Sequence, residues 1–485
     1  MRLQAARAAV LRIAQSGRIA LLVLNGCAVG FAVKTWAGPD AVASTTEESV
    51  EGRAEAGDLA EVRPCQDQRA RRVLVAQRNL TVEELMEAIE QAPPVDTVAV
   101  VARLLAEQLD ARDVCFLTTE LGGETLWRFP ARRPKRDDRQ NPIQAVDNIY
   151  DTVMREQKLH VTASPPDEGR PTGQRVVAPV TVRGDAIGVL ELITPDRPSP
   201  VEQHRIEQAA HALAYVVTAN RRFTDLYERG RRSARPTLAA EIQQNLLPDA
   251  LTFEAGQVTV AGGLEPAGDI AGDTFDYSLD EHTLHVSITD AMGHNEPAAL
   301  LATLAVGALR QTRRAGASLV EQAHAAHEAV LEHGFDGSVT GQLLRVDLRT
   351  GRALLVNAGH PWPLRLRDGR VAEVELDVDL PFGTSCPGRY RTQELDLQPG
   401  DRLVLLTDGM IERNTTSFDL PTVIARDAHL HAREATRYMT RDLRKATHGH
   451  LLDDATVVCL DWHGPGSSRR TSVAGAHPVG PPQSS

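Results

Sequence analysis

Four aspartates in the C-terminal half of this 485-residue chain each stand where an apolar run, typical of a buried strand, begins or ends. A single acid at such a point is usually a cap or turn residue. An ionised carboxylate at a buried strand end is costly unless something neutralises it. Four of them in one stretch are therefore better explained by bound cations. They are Asp273, Asp290, Asp408 and Asp453.

The donor atoms indicate which cations would bind. All four side chains offer oxygen, and no histidine or cysteine stands at ligand spacing from them. This set suits Mg²⁺ or Mn²⁺ rather than zinc or copper. Two such ions about 3.5–4 Å apart are a common device for the attack of water on phosphorus. We therefore predict two Mn²⁺ or Mg²⁺ ions, and the absence of a Cys-x5-Arg signature indicates that no cysteine nucleophile takes part.

Charge and cysteine usage exclude several other classes of protein. The formal net charge is −12 and the basic residues form no concentrated block, so a nucleic-acid partner is not expected. The five cysteines are far apart and form no Cys-x-x-Cys pair, which argues against a disulfide framework and against a zinc site. Reduced thiols in a cytoplasmic protein fit this pattern best.

The two ends of the chain read as extensions rather than domains. Residues 34–80 are rich in Ala, Glu, Arg and Gly and lack a clear period, which predicts linker or disorder for the extension over residues 1–80. Residues 19–33 are apolar but span fewer than the ~20 positions that a membrane helix needs, so no membrane association is expected. A signal-peptide core and a wrongly assigned start codon remain open alternatives for this segment. Residues 464–485 are rich in Gly, Pro and Ser and predict a disordered tail.

Residues 81–220 predict a mixed α/β domain. A capping-box pattern begins a helix at Thr81, a second helix follows Pro93 and Pro94, and the stretch 175–193 reads as a strand–turn–strand hairpin. Because of residues 176–192 and the flanking helices, this region resembles a GAF domain. The resemblance implies a sensor domain that holds an unknown small ligand or mediates dimers. Cys115 could face such a ligand, or be a buried core thiol.

A linker helix is predicted within residues 201–235. Its apolar positions alternate in steps of three and four, which is the spacing of a coiled-coil seam with one polar interruption. One interpretation is a homodimer formed through this seam. The other is an amphipathic helix packed on its own domain, and the spacing leaves both open. The positions are Ile206, Ala209, Leu213, Val216, Asn220, Phe223 and Tyr227.

Residues 236–463 predict strands that pair at clear turns, interrupted by two helices over 297–314 and 318–333. Strands, then helices, then strands again indicate a β-sandwich flanked by helices. With the mixed domain before it, the whole chain is predicted to be α+β, a GAF-like sensor domain followed by an αββα sandwich.

This C-terminal region resembles the catalytic domain of metal-dependent protein phosphatases of the 2C (PPM) type, in the bacterial branch typified by SpoIIE and RsbU. The resemblance depends on six motifs in the order of the family, together with a helix before them at 240–248. The motifs are Gly272-Asp273, Asp290-Ala291-Met292-Gly293-His294, Asn357-Ala358-Gly359-His360-Pro361, Pro399-Gly400-Asp401, Thr407-Asp408-Gly409 and Asp453-Asp454-Ala455-Thr456.

The resemblance implies roles for individual residues. Asp273 would bridge both ions and the Ala291 carbonyl would bind one, while Asp290, Asp408 and Asp453 would complete the set. Asp454 would hold these ligands in position without binding a cation itself.

Other positions are less firmly assigned. Asp276 and Glu412 are either outer ligands or solvated acids. Asn295 replaces a glycine of the family, and Met292 stands where eukaryotic relatives have a histidine general acid. His294 and His360 remain as candidate acids, although His360 is better suited to fixing a loop.

The resemblance also implies a function. It predicts hydrolysis of phosphoserine or phosphothreonine on a regulatory protein, an anti-sigma-factor antagonist of the STAS type, under control of the GAF domain. The alternatives are a catalytically weak pseudophosphatase and a GAF-based signalling scaffold. The segment 238–248 is a candidate switch, because Leu238, Ile242 and Leu246 form one helical stripe just before the Asp273 strand.

Overall fold

The computed structural model describes residues 81–120, 122–129, 142–164, 173–230, 237–267, 272–293, 295–333, 337–386, 388–411, 418–468 and 470. The predicted linker over residues 1–80, its apolar segment 19–33, and most of the predicted tail 464–485 lie outside the described residues. Across the described ranges, every helix is too short or too polar to cross a membrane.

The N-terminal part alternates helices with the strands of one sheet. Its elements in chain order are α1 (Val82–Gln91), α2 (Thr97–Leu109), β1 (Arg112–Thr119), β2 (Thr125–Arg128), β3 (Ile143–Gln144), α3 (Ile149–Glu156), β4 (His160–Ala163), β5 (Gln174–Val182), β6 (Asp185–Thr194), α4 (Pro200–Asn220) and α5 (Leu226–Gly230). The capping box predicted at Thr81 is confirmed, because Thr81 and Glu84 bond each other's main-chain N–H groups.

The sheet of this part is antiparallel, with strand order β3-β2-β1-β6-β5-β4. Helices α1, α2 and α4 share a core with it. Tyr150 and Val153 of α3 belong to a second core that also takes in strand residues such as Cys115, so Cys115 is a buried core thiol. The predicted hairpin is confirmed as β5 and β6, and both turn residues, Arg183 and Gly184, have positive φ angles of 49° and 90°.

The predicted linker helix is shorter than expected and faces inward. Helix α4 ends at Asn220, and a turn separates it from α5. Leu213 and Val216 of the predicted seam are buried in the core of this part of the chain, and the Asn220 amide donates to Thr97 Oγ1 at 3.0 Å. The amphipathic helix packed on its own domain is therefore the observed alternative. A homodimer stays a prediction without an assigned interface.

The C-terminal part contains two further sheets and the helices that cover them. Its elements are α6 (Leu238–Leu246), β7 (Thr252–Glu254), β8 (Val258–Glu265), β9 (Asp273–Leu279), β10 (Thr283–Ala291), α7 (Asn295–Arg314), α8 (Leu319–His333), β11 (Val339–Asp347), β12 (Ala353–Ala358), β13 (Leu364–Arg367), β14 (Arg370–Glu373), β15 (Gln393–Leu395), β16 (Arg402–Leu406), a 3-10 turn (Asp408–Ile411), α9 (Leu420–Arg426), α10 (Ala432–Ala446) and β17 (Ala455–Trp462).

The two sheets pack face to face as predicted. Their strand orders are β15-β12-β11-β10-β9 and β14-β13-β16-β17-β8-β7, and apolar side chains from both fill the space between them. Helices α7 and α8 cover the outer face of the first sheet, while α9 and α10 cover that of the second. A Cβ atom at Gly262 would lie 2.3 Å from the ring of Phe275, so the close approach of the sheets requires glycine there.

Helix α10 also contacts the N-terminal part. Arg433 donates to the Gly184 carbonyl at 2.7 Å and to the Met154 carbonyl at 3.0 Å. Arg437 bonds the Gly123 carbonyl and the carboxylate of Asp151. One face of α10 thus packs on the C-terminal sandwich, while its arginines contact the N-terminal part.

Candidate metal and catalytic site

The predicted aspartates come together because the two sheets present strand ends at the same edge of the sandwich. Asp273 begins β9, and Asp290 stands directly opposite it near the end of β10. Residues paired in this way project from the same face of a sheet. Asp408 follows β16 by two positions, and Asp453 precedes the adjacent strand β17. The first sheet therefore contributes two acids, and the second contributes the others.

A hydrogen bond joins the two sheets at this edge. The Thr407 hydroxyl donates to Asp273 Oδ2 at 2.6 Å and accepts from the Thr456 N–H at 2.9 Å. Thr407 is the residue between β16 and Asp408, so the position of the Asp273 carboxylate is set from the opposite sheet.

Asp454 supports the site from behind. Its carboxylate accepts hydrogen bonds from the main-chain N–H groups of Ala267 and Gly272 at 2.9 Å and 3.3 Å. The Gln243 side chain of α6 donates to the same carboxylate at 2.6 Å, and to the Asp273 carbonyl at 2.9 Å. Asp454 and Gln243 therefore position the start of β9.

Gln243 is a site residue that sequence reasoning missed. The predicted buried stripe of Leu238, Ile242 and Leu246 is wrong at its first position, because Leu238 is 64% exposed. The buried face of α6 instead includes Ala239 and Gln243. Gln243 stands between Ile242 and Gln244, so its immediate neighbours do not mark it as buried.

Neighbouring carboxylates raise the pKa of two of the site acids, Asp290 and Asp273. Burial, followed by Asp408, Asp453 and Asp454, raises the pKa of Asp290 to about 7. Burial, then Asp290 and Asp454, raises the pKa of Asp273 well above its ordinary value, although the hydrogen bonds from Thr407 and Thr456 oppose this. The charged groups that shift the pKa of Asp290 are all acids, so the cluster holds excess negative charge.

The donor set fits a hard divalent cation, although the acids do not converge on one point. Asp273 and Asp454 are buried, Asp290 and Asp453 are half-buried, and Asp408 is exposed, so the cluster opens to solvent on the Asp408 side. Within the described ranges, no three His, Cys, Asp or Glu side chains are grouped closely enough to hold an ion as they stand. The fit therefore depends on oxygen chemistry and on charge.

The Ala291 carbonyl, the predicted main-chain ligand, lies at the end of β10 beside the acids. The Ala291 N–H donates to the Gly272 carbonyl at 3.2 Å, and a Cβ atom at Gly272 would stand 2.7 Å from the Ala291 oxygen. Glycine at position 272 therefore allows the chain before Asp273 to approach this carbonyl.

Two other predicted candidates have structural roles. The Asp276 carboxylate accepts hydrogen bonds from Arg310 and Arg313 of α7 at 2.9–3.1 Å, so it anchors that helix to β9. His360 is buried and shares a hydrogen bond of 2.8 Å with Thr340. Burial lowers the pKa of His360 to about 3, so the ring is neutral near pH 7 and is a poor proton donor. His294 and Glu412 lie outside the described residues.

Comparison with known proteins identifies relatives of the C-terminal part. Residues 280–463 match the family described as Stage II sporulation protein E (SpoIIE). The chain is 25% identical over 239 residues to the phosphoserine phosphatase RsbU of Bacillus subtilis, an alignment of 46% of this chain and 68% of RsbU. It is 24% identical over 188 residues to the phosphoserine phosphatase RsbP of the same organism, covering 37% of this chain and 46% of RsbP.

Part of the chain is also similar to solved structures. A crystal structure of the RsbU and RsbW domains of Rv1364c from Mycobacterium tuberculosis is 26% identical, with 44% of this chain and 63% of that chain covered and a TM-score of 0.40. The chain thus spans about two thirds of RsbU and less than half of RsbP. Residues 280–463 are similar to the SpoIIE family, and the chain is similar over part of its length to two bacterial phosphoserine phosphatases.

Proposed function

We propose that this protein is a metal-dependent serine/threonine phosphatase that removes phosphate from a regulatory protein. The observation that carries the proposal is the group of acids at the edge of the sandwich, where Asp273 and Asp290 lie opposite each other on paired strands and neighbouring carboxylates raise the pKa of both. In the described part of the chain, none of Asp273, Asp290 and Asp454 forms an ion pair with a basic side chain. The similarity to RsbU and RsbP supports phosphoserine as the substrate group.

Two Mn²⁺ or Mg²⁺ ions would be held by the side chains of Asp273, Asp290, Asp408 and Asp453 and by the Ala291 carbonyl. When bound, such ions stabilise charge on a phosphoryl group and lower the pKa of bound water. Because Asp290 and Asp273 are protonated more readily than ordinary aspartates, cations would have to displace protons from them.

The other residues of the site orient these acids. Thr407 fixes the Asp273 carboxylate by its hydrogen bond across the two sheets. Gln243 and Asp454 hold the main chain on which Asp273 stands. Because His360 is buried and neutral, we assign the protonation of the leaving alkoxide to solvent, which reaches the site beside the exposed Asp408.

The proposed substrate is a STAS-type anti-sigma-factor antagonist, as the resemblance to the SpoIIE and RsbU branch implies.

We also propose that residues 81–220 act as a GAF-like sensor that controls the catalytic domain. The six-stranded antiparallel sheet with helices on its faces supports this assignment. Signals could reach the active site through α6, because Gln243 on that helix bonds the Asp273 carbonyl directly. A cytoplasmic location stays a prediction from cysteine usage.

The proposed function is tested by hydrolysis of a synthetic phosphoserine peptide with the purified full chain. We expect phosphate release with added Mn²⁺, weaker release with Ca²⁺, and none after treatment with EDTA. Full activity in EDTA would contradict the metal assignment. Binding of the peptide without hydrolysis at any metal concentration would instead favour the pseudophosphatase alternative, and an effect of the N-terminal domain without hydrolysis would favour the scaffold.

A further inference from the structure

Three large apolar side chains are exposed beside the acid cluster. Met292 is 58% exposed, Ile411 is 53% exposed and Leu452 is 71% exposed. A single exposed apolar side chain is ordinary on a protein surface. These three, however, each stand within three positions of a site acid, after Asp290, after Asp408 and before Asp453 respectively.

The main chain brings these positions to one rim. Gly409 packs so closely on the Asp454 carbonyl that a Cβ atom there would lie 2.1 Å from it, which places the turn ending at Ile411 beside the segment that begins at Leu452. Met292 directly follows the end of β10, and its N–H donates to the Ser338 carbonyl at 3.0 Å. Asp290, two residues earlier, pairs with Asp273, whose carboxylate accepts a hydrogen bond from Thr407 beside that turn.

The site acids and the apolar side chains beside them would meet different parts of a substrate. The rim positions lie close to Asp290, Asp408 and Asp453 in sequence, and the proposed cations would neutralise the negative charge of these acids. Bound cations would attract the phosphate itself, but the residues on either side of it would meet apolar side chains.

We propose that Met292, Ile411 and Leu452 form an apolar rim that binds the residues flanking the phosphorylated serine or threonine of the substrate. The occupant is a phosphorylated segment with apolar flanking side chains. This inference rests on the proposed function, and it adds to it how the protein part of the substrate is recognised.

The test compares three substrates on the full chain with Mn²⁺. They are p-nitrophenyl phosphate and two phosphoserine peptides that differ only in having leucine or serine on both sides of the phosphoserine. We expect kcat/KM for the leucine peptide to exceed that for the serine peptide roughly tenfold, since apolar contacts discriminate by about 10–200-fold. Equal kcat/KM values for the two peptides in the wild-type protein would contradict the proposed binding at the apolar rim.

Variants then assign the preference to the rim. In the triple variant Met292→Ser, Ile411→Ser, Leu452→Ser, the ratio of kcat/KM for the leucine peptide to that for p-nitrophenyl phosphate should fall roughly tenfold. Leu452→Ser alone, at the most exposed position, should lower it in part. Leu279→Ser is the matched control, because Leu279 is 39% exposed at the far end of β9, and it should leave the ratio unchanged.

Two further outcomes are decisive. If the triple variant keeps the wild-type ratio, or changes the sedimentation of the chain because the rim joins two copies, the inference is wrong while the proposed function stands. If the wild-type protein hydrolyses none of the three substrates, the proposed function fails and the rim fails with it.

Discussion

Asp273 at the edge of the sandwich and Glu434 on α10 are both almost completely buried acids, 1% and 2% exposed, yet their pKa values shift in opposite directions. Burial alone would raise the pKa of Glu434, but Arg433 and Arg437 outweigh it and hold that pKa below its ordinary value. Burial, Asp290 and Asp454 together raise the pKa of Asp273. The difference lies in the neighbours, which are arginines in one region and acids in the other.

Most other buried acids of the described chain resemble Glu434. Asp276 bonds Arg310 and Arg313, Asp401 bonds Arg367 at 2.6 Å, and Glu191 bonds Arg175 at 2.8 Å. A buried acid with an arginine partner is part of the fold. In the described part of the chain, Asp273, Asp290 and Asp454 have no arginine partner, and this contrast separates the candidate site from the structural acids.

The largest expected effect is the loss of activity when a site acid loses its charge. Asp273→Asn or Asp408→Asn should lower the rate of phosphoserine-peptide hydrolysis at least about a hundredfold, because several kcal/mol of charge stabilisation depend on the ions. The unfolding free energy should not fall, since the change removes repulsion. Asp280→Asn, at an exposed turn, is the control that should keep wild-type activity. Activity of Asp273→Asn near the wild-type level would contradict the distinction between the site acids and the structural acids.

A smaller effect is expected at the residue behind the site. Gln243→Ala removes the donor to Asp454 and to the Asp273 carbonyl, and loss of such support commonly costs 10–100-fold in metal affinity. The Mn²⁺ concentration for half-maximal activity should rise accordingly. Asn245→Ala, on the exposed side of the same helix, should leave it unchanged. If Gln243→Ala only lowers thermal stability, with an unchanged metal requirement, α6 is structural and does not control the site.

Replacing an arginine of α10 that contacts the N-terminal part should have the opposite effect. It should lower the stability of the protein and leave its metal dependence unchanged. Arg437→Met leaves Glu434 and Asp151 without a shared partner, and breaking a buried ion pair typically costs about 3–5 kcal/mol. Urea unfolding should detect this, while the Mn²⁺ requirement stays at the wild-type value. Lys445→Met, an exposed position of the same helix, provides the control. A raised Mn²⁺ requirement in Arg437→Met would instead connect the interface to the site.

The smallest effect concerns pH. Burial, and then Glu120, raises the pKa of Glu265 to about 7, and Arg444 at 3.8 Å does not offset this. Since the folded state holds this proton more tightly than the unfolded state, its contribution to stability is complete below about pH 4.5 and is lost as the pH rises through 7.

The test for Glu265 is a pair of stability curves. Glu265→Gln should be more stable than the wild type above pH 7, by at most about 3 kcal/mol, and the difference should shrink toward pH 4.5. Parallel stability curves from pH 4.5 to pH 8 would contradict the shifted pKa.

The local features of this chain were predictable from sequence and the long-range ones were not. The turn at Arg183–Gly184, helix α7 and the strand ends at Asp273 and Asp290 follow from short patterns of turn residues and apolar periodicity. Gln243 contacts Asp454 across 211 positions of sequence, so no local pattern marks it.

The spacing of the apolar residues in α4 shows a second limit of prediction from sequence. Steps of three and four place Leu213 and Val216 on one face of a helix, whether that face packs on another chain or on its own sheet. Only the tertiary structure decides between them. Asp276 was ambiguous for a related reason, because its arginine partners on α7 lie more than thirty positions away.

The contacts of α10 with main-chain oxygens have a consequence for how the two halves of the chain can diverge. Arg433 binds the carbonyls of Gly184 and Met154, and Arg437 binds that of Gly123. A carbonyl is present whatever side chain the residue carries, so these three contacts follow the path of the N-terminal backbone, while the bond from Arg437 to Asp151 depends on a side chain. Side chains elsewhere in the N-terminal part can therefore change without loosening the carbonyl contacts, provided that the hairpin turn keeps its shape.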